Sequence, residues 1–259
     1  MKRLILAVAS IVLVSSAATA ETQPRLARLQ VELWPEYDRP AVLVMLQGWL
    51  AADAALPATV RLPMPAQAGR PHAVAKRAAD GALLMAQHTV EVKGDWAWVK
   101  VETDVREFRL EYYVDLATTD PARRYVFEWP GGLDVEQVTY EVMQPTGAKD
   151  FSVEPPPSSQ GVGSGGLTYH LGDLGPKARN EPFSIRIAYT KTTPTLTAVP
   201  LAPSVPPVGQ MPPAGRTPGV TPSGSGGANI WLLALMVVLG AAIGGFWVFV
   251  ASKRPRRKR

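Results

Sequence analysis

The side chains that most often do chemistry are sparse in this sequence. There is no cysteine, and the three histidines, His72, His88 and His170, lie far apart. None stands two, three or four residues from another histidine, so the spacing that puts two zinc ligands on one strand or helix face is missing. Neither a G-x-S-x-G nucleophile turn nor an H-E-x-x-H pair occurs. With no nucleophile–base set in view, we expect no catalytic residue, no metal and no cofactor.

One short motif invites a phosphate. Gly161-Val162-Gly163-Ser164-Gly165-Gly166 has the G-x-G-x-x-G spacing. Dinucleotide binding needs a strand before such a loop and a helix after it, because the helix N-terminus holds the pyrophosphate. Here three prolines precede, and Leu167-Thr168-Tyr169-His170 reads as a strand. The glycines are expected to form a hairpin loop.

Aromatic placement carries more information. Trp96 and Trp98 are two apart on an expected strand, so both point to one face. Ala97, Val99 and Val101 point to the other, which suits a core. The two indoles and Lys100 then face a module seam, an envelope glycan or another protein; indoles stack on sugar rings and anchor protein interfaces. Trp34 and Tyr37, in the Pro-bounded segment 34–40, are further candidate ligand or interface aromatics. The fourth feature is a stripe of small residues. Gly240 and Gly244 form G-x-x-x-G, and Ala241 with Gly245 repeats it one step on, a face on which a second helix can pack closely.

That stripe lies in the strongest element of the chain. Residues 230–251 are 22 residues without a charge, which at about 1.5 Å per residue reach about 33 Å, enough to cross a bilayer. Lys253, Arg254, Arg256, Arg257, Lys258 and Arg259 come directly after it and orient that end to the cytoplasm. Residues 1–20 read as a signal peptide, with Lys2 and Arg3, an 11-residue apolar run and the A-x-A site Ala18-Thr19-Ala20. The layout is of bacterial type: a single-pass protein of the cell membrane, its N-terminal part extracytoplasmic and its C-terminus cytoplasmic. The net charge of +5 is therefore a topology signal. Two cations lie in the signal and six in the tail, so 19 remain against 22 carboxylates in 21–229, a net −3. That balance excludes the basic footprint of a nucleic-acid binder. The expected partners are membrane lipid and another membrane protein, or a second copy, with envelope glycan as the alternative.

Between these ends the chain alternates apolar and polar residues with period two. Phe108, Leu110, Tyr112 and Val114 share one face of 107–115, and Phe183, Ile185, Ile187 and Tyr189 one face of 183–189. Segment 41–50 is apolar on both faces, as a central strand covered on both sides would be. Turn residues such as Asp80-Gly81, Lys93-Gly94-Asp95 and Pro130-Gly131-Gly132 separate the runs. About ten short strands with no amphipathic helix predict a mostly β, antiparallel β-sandwich ectodomain. Two modules are expected, 21–119 and 120–193, the polar run 118–123 dividing them; one continuous sandwich is the alternative. With no disulfide available, the ectodomain rests on its apolar core. Segment 194–229, with nine prolines and six glycines from Pro194 to Ala228, reads as an unstructured linker. The function expected from this plan is a non-enzymatic envelope protein that binds or scaffolds other proteins; the alternative is a surface carbohydrate-binding module.

Overall fold

A computed structural model describes residues 23–198. Residues 1–20 read as a signal peptide, the part of the expected linker beyond Ala198, residues 230–251 read as a membrane span, with Gly240, Ala241, Gly244 and Gly245, and the basic run Lys253–Arg259 lie outside the described residues. Among the described residues no helix is long and apolar enough to cross a membrane.

The described residues are mostly β, in three sheets. Its strands are β1 (Leu26–Pro35), β2 (Ala41–Leu50), β3 (Ala58–Pro65), β4 (Ala73–Arg77), β5 (Leu83–Met85), β6 (His88–Lys93), β7 (Trp96–Thr103), β8 (Glu107–Asp115), β9 (Ala117–Thr119), β10 (Ala122–Trp129), β11 (Val135–Met143), β12 (Lys149–Glu154), β13 (Ser159–Val162), β14 (Thr168–Lys177) and β15 (Phe183–Thr190). Two short 3-10 turns, Ala66–Ala68 and Ser164–Gly166, complete the described elements. The eight-stranded sheet has the order β13-β14-β11-β1-β2-β8-β4-β5, the four-stranded sheet β12-β15-β10-β9, and the three-stranded sheet β3-β7-β6.

Period-two alternation builds the core from all three sheets. Leu29, Val31 and Leu33 of β1, Val42, Val44 and Leu46 of β2, and Phe108, Leu110 and Tyr112 of β8 come from one face of the large sheet. Val60, Leu62, Val99 and Val101 come from the three-stranded sheet, and Phe127, Trp129, Ile185 and Ile187 from the four-stranded one, all in the same cluster. The two smaller sheets thus cover one face of the large sheet. Each large side chain removed from water there contributes about 1.5–3 kcal/mol, which replaces what disulfides supply elsewhere.

Two glycines sit in central strands for a packing reason. Gly48 stands opposite Phe108 across the β2–β8 ladder, and Gly172 opposite Tyr140 across β11–β14. In both places the aromatic ring lies over the glycine, in the space a Cβ would fill. Covering a strand glycine with a cross-strand ring restores the packing that the missing side chain forfeits.

Most pairs are antiparallel, as expected, but β1 and β11 pair in parallel, Leu26 opposite Val135 through Leu33 opposite Val142. A parallel pair needs a long crossover, and here nearly a hundred residues separate the two strands. This pair joins β11, β13 and β14 to the strands that precede residue 119, so strands from either side of the 119/120 boundary lie in one sheet and share one apolar cluster. The glycine motif at 161–166 falls in the β13–β14 hairpin, with a strand on each side of it.

The segment after β15 is tied down. Thr197 N–H donates to the Glu36 carbonyl at 2.9 Å, Ala198 N–H to the Tyr37 carbonyl at 2.7 Å, and Thr146 N–H to Thr197 Oγ1 at 3.1 Å. Residues 194–198, at the start of the segment read as linker, therefore run along the β1–β2 turn.

Candidate functional site

β7 is a strand with two uses. Ala97, Val99 and Val101 are buried in the core, while Trp96 and Trp98 are half-buried on the opposite face, the alternation read from the sequence. In the ladders Trp98 lies between Pro63 of β3 and Glu91 of β6, and Trp96 between Pro65 and Lys93. The Arg61 guanidinium, paired with Glu91 at 3.1 Å, sits 5.5 Å from the Trp98 ring centroid.

The two indoles meet different surroundings. The turn Pro130-Gly131-Gly132, which ends the four-stranded sheet's β10, lies against Trp98. A Cβ on Gly132 would stand 3.0 Å from the Trp98 ring, so the backbone itself is packed on the indole. Trp96 instead borders two hollows at the seam of the two smaller sheets. One, of about 600 Å³, is lined by Trp96 with Gln67, Asp95, Asp115, Arg124 and Glu128 among others. The other, of about 370 Å³, is lined by Trp96, Trp129, Pro130 and Phe183 among others, with the Trp129 and Phe183 rings stacked at 5.8 Å. Trp129 is buried, and its Nε1–H has no acceptor among the described residues.

Chemically this is an apolar wall beside carboxylate, amide and guanidinium groups. It offers stacking and hydrogen bonding, the composition of a binding hollow. The histidines stand elsewhere: His170 Nε2 is 3.1 Å from Gln144 Oε1, His72 packs edge-on against Tyr113, and His88 Nδ1 contacts the Ala86 carbonyl. Among the described residues no group of three His, Asp or Glu is arranged to hold a metal ion.

The structure does not bring Trp34 and Tyr37 to this seam. Trp34 is on the large sheet's other face, 3 % exposed, with the Tyr37 ring edge-on at 4.8 Å and Tyr169 at 6.2 Å. It belongs to a second, smaller apolar cluster with Leu43, Met45, Met143 and Tyr169.

Beside that cluster is a charged group that sequence reasoning missed. Glu32 and Glu141 stand opposite each other on β1 and β11, and Arg109 reaches Glu111 Oε1 at 2.9 Å and Glu32 Oε2 at 3.8 Å. Arg109 is 2 % exposed and Glu32 fully buried. Burial pushes the Glu32 carboxyl above its ordinary range, with Arg109 opposing and Glu111 reinforcing. Burial, with the Glu32 carboxylate adding to it and Arg109 opposing, pushes Glu141 up to about 8. In the sequence these residues look like the solvated face of alternating strands, and only the pairing of β1, β8 and β11 gathers them.

Another feature is the open side of the assembly. β5 is the outer strand of the eight-stranded sheet and β6 of the three-stranded sheet, and they are consecutive in the chain. The link between them bonds to both sheets, Ala86 N–H to the Val74 carbonyl and Glu102 N–H to the Gln87 carbonyl. Leu84, Met85, Val90 and Val92 lie on these strands and are exposed, Met85 by 63 % and Val92 by 62 %. Among the described residues, four of the seven exposed large hydrophobic residues thus fall within nine consecutive positions.

No known family matches the chain, and no curated protein matches it in sequence. Among solved structures, one from Parabacteroides distasonis, described as a "putative protease", is similar at 10 % identity and a TM-score of 0.35. The match covers 65 % of this chain and 40 % of that one. The chain spans less than half of that protein's length, and at this TM-score nothing about fold or chemistry is carried over.

Proposed function

We propose that this chain is a membrane-anchored, extracytoplasmic β-sandwich protein of the cell envelope, and that it binds another protein without catalysing a reaction. The observation that carries this reading is the open side formed by β5 and β6. Edge strands present unpaired N–H and C=O groups and are normally guarded by charge or bulges. Here the edge carries Leu84, Met85, Val90 and Val92 in the open, the combination through which a partner adds backbone hydrogen bonds and buries apolar side chains. The membrane part of the reading rests on residues 230–251 and the cationic tail.

The test is purification of the full-length chain in mild detergent, with the particle's mass and contents measured. We expect another envelope protein in stoichiometric amount, lost in the Met85→Lys/Val92→Lys variant while the thermal midpoint stays unchanged. A clean monomer from the native membrane would sink the proposal.

A second reading, a carbohydrate-binding module, is favoured by one observation: Trp96 borders a hollow with Asp95, Asp115, Arg124 and Glu128 in its lining. In that reading Trp96→Ala abolishes retention on envelope glycans and Met85→Lys/Val92→Lys leaves it intact. Equal retention by Trp96→Ala and the parent chain rejects it.

A further inference from the structure

Strand β10 is paired along its whole length on one side only. β15 runs beside it from Ala122 opposite Thr190 to Trp129 opposite Phe183 with no bulge. On the other side β9 covers Ala122, Arg123 and Arg124 and stops. The ladder shows which backbone groups are left over. One step beyond Ala122 and Thr190, Lys191 N–H donates to the Pro121 carbonyl at 2.9 Å. Bond-exchanging pairs alternate along antiparallel strands, so Arg123, Tyr125, Phe127 and Trp129 turn their N–H and C=O groups toward β15. Arg124, Val126 and Glu128 turn theirs the other way. Arg124 stands opposite Ala117 of β9, but beside Val126 and Glu128 no strand lies among the described residues. Both of these residues are exposed.

This open stretch lines the hollow of about 600 Å³ that Trp96 borders. N–H and C=O groups presented together at every second residue match the backbone of another strand. A sugar ring has no such repeat. The hollow also carries a charge. Asp95, Asp115 and Glu128 line it against one cation, Arg124, which leaves 3 − 1 = 2 negative charges in excess. None of the three carboxylates has an ion pair among the described residues. The Trp96 ring stands in the same lining, and a guanidinium or ammonium group gains from an indole face as well as from carboxylates.

We propose that this hollow takes an extended, basic segment of another protein. The segment continues the line of β9, hydrogen-bonds the open backbone groups of Val126 and Glu128, and sets lysine or arginine side chains against Trp96 and the carboxylates. Strand addition draws affinity from the main chain and specificity from alternate side chains. The occupant is set by the ladder phase, which asks for a strand, and by the excess of carboxylates, which asks for a cation. β10 lies in a different sheet from β5 and from β6, so this surface stands or falls separately from the β5–β6 edge.

Amide hydrogen exchange of the full-length chain in detergent tests it, read residue by residue by NMR. The probes are a short blocked peptide of alternating lysine and valine, the same peptide with glutamate in place of lysine, and soluble fragments of envelope glycan. In the free protein the Val126 and Glu128 amides should exchange faster than those of Tyr125 and Phe127. The basic peptide, at up to about 1 mM, should slow Val126 and Glu128 at least about tenfold and leave Phe127 unchanged. Asp95→Lys/Glu128→Lys should weaken the basic peptide at least about tenfold and favour the acidic one. Val126→Pro removes an outward N–H, which an open edge tolerates, and should abolish the protection while the Phe127 amide stays slow and so reports an intact β15 ladder. No protection by the basic peptide, or equal protection by both peptides, overturns the proposal. Protection by glycan fragments in place of peptide assigns the hollow to sugar, and binding that survives Val126→Pro but is lost in Met85→Lys/Val92→Lys assigns the peptide to the β5–β6 edge; both overturn it as well.

Discussion

The backbone of Gly132 lies directly on the indole of Trp98, and a single methyl group at that position would come within 3.0 Å of the ring. The contact ties the three-stranded sheet to the turn that ends the four-stranded one. Gly132 also has φ +118°, a conformation open to glycine and strained for other residues. Gly132→Ala is therefore expected to cost about 1–3 kcal/mol, read from chemical denaturation, with a change in tryptophan emission as Trp98 is displaced. An unchanged midpoint would show that the turn is not held by the indole.

Tyr189 and Glu36 test how the end of the fold is fastened. The buried Tyr189 hydroxyl donates to Glu36 Oε2 at 2.7 Å, and the Lys191 ammonium, also buried, stands 3.4 Å from the same oxygen. A hydrogen bond to a charged group contributes about 1.5–3 kcal/mol net. Tyr189→Phe should lose stability of that order and speed exchange of the Thr197 amide, which bonds to the Glu36 carbonyl. If Thr197 exchanged at the parent rate, the residues after β15 would be held independently of Glu36.

The Glu32–Arg109–Glu141 group predicts a pH dependence with a definite sign. Burial raises Glu141 from the ordinary 4.5 to about 8 in the fold, so the folded state retains a proton that the unfolded chain releases. Stability from this group is fully present below pH 4.5 and is lost as pH rises toward about 8. Glu141→Gln keeps a neutral side chain at every pH. It should stabilise the protein at pH 8 by about 1 kcal/mol or more, since each pKa unit corresponds to 1.36 kcal/mol, and give no gain at pH 4. An equal effect at both pH values would mean that Glu141 titrates normally.

Removal of residues 230–259 should convert the protein to a soluble, monomeric, β-rich fragment. The expectation rests on a described core of buried side chains that comes wholly from 23–198. Circular dichroism and sedimentation check it; aggregation of the truncated chain would mean that the β fold depends on the removed segment.

Local order was legible in the residues because strand periodicity is a local property. Segments 41–50 and 107–115 read from alternation coincide with β2 and β8, and the double apolar pattern of 41–50 matches a central strand buried on both faces. The split of β7 into a core side and a tryptophan side was visible for the same reason. Short polar strands were not. β9 and β13 lack apolar alternation, since they are largely exposed edge strands whose pairing comes from neighbours, and β12, also an edge strand, carries it only in Phe151 and Val153. Nor does local pattern mark the break at Ala86–Gln87, where the chain passes from β5 in one sheet to β6 in another.

By itself, then, the sequence determined the β character, the face each strand offers to the core, and the expectation of a membrane anchor with a cationic stop. All three come from hydrophobicity counted along the chain. The tertiary structure alone decided that β1 and β11 pair in parallel, that Glu32, Arg109 and Glu141 share a buried site, that Trp98 lies under a glycine turn while Trp96 borders open hollows, and that Trp34 and Tyr37 belong to a different face. Each of these depends on contacts between residues tens to a hundred positions apart, and side-chain spacing along a strand carries no record of which strand will lie beside it.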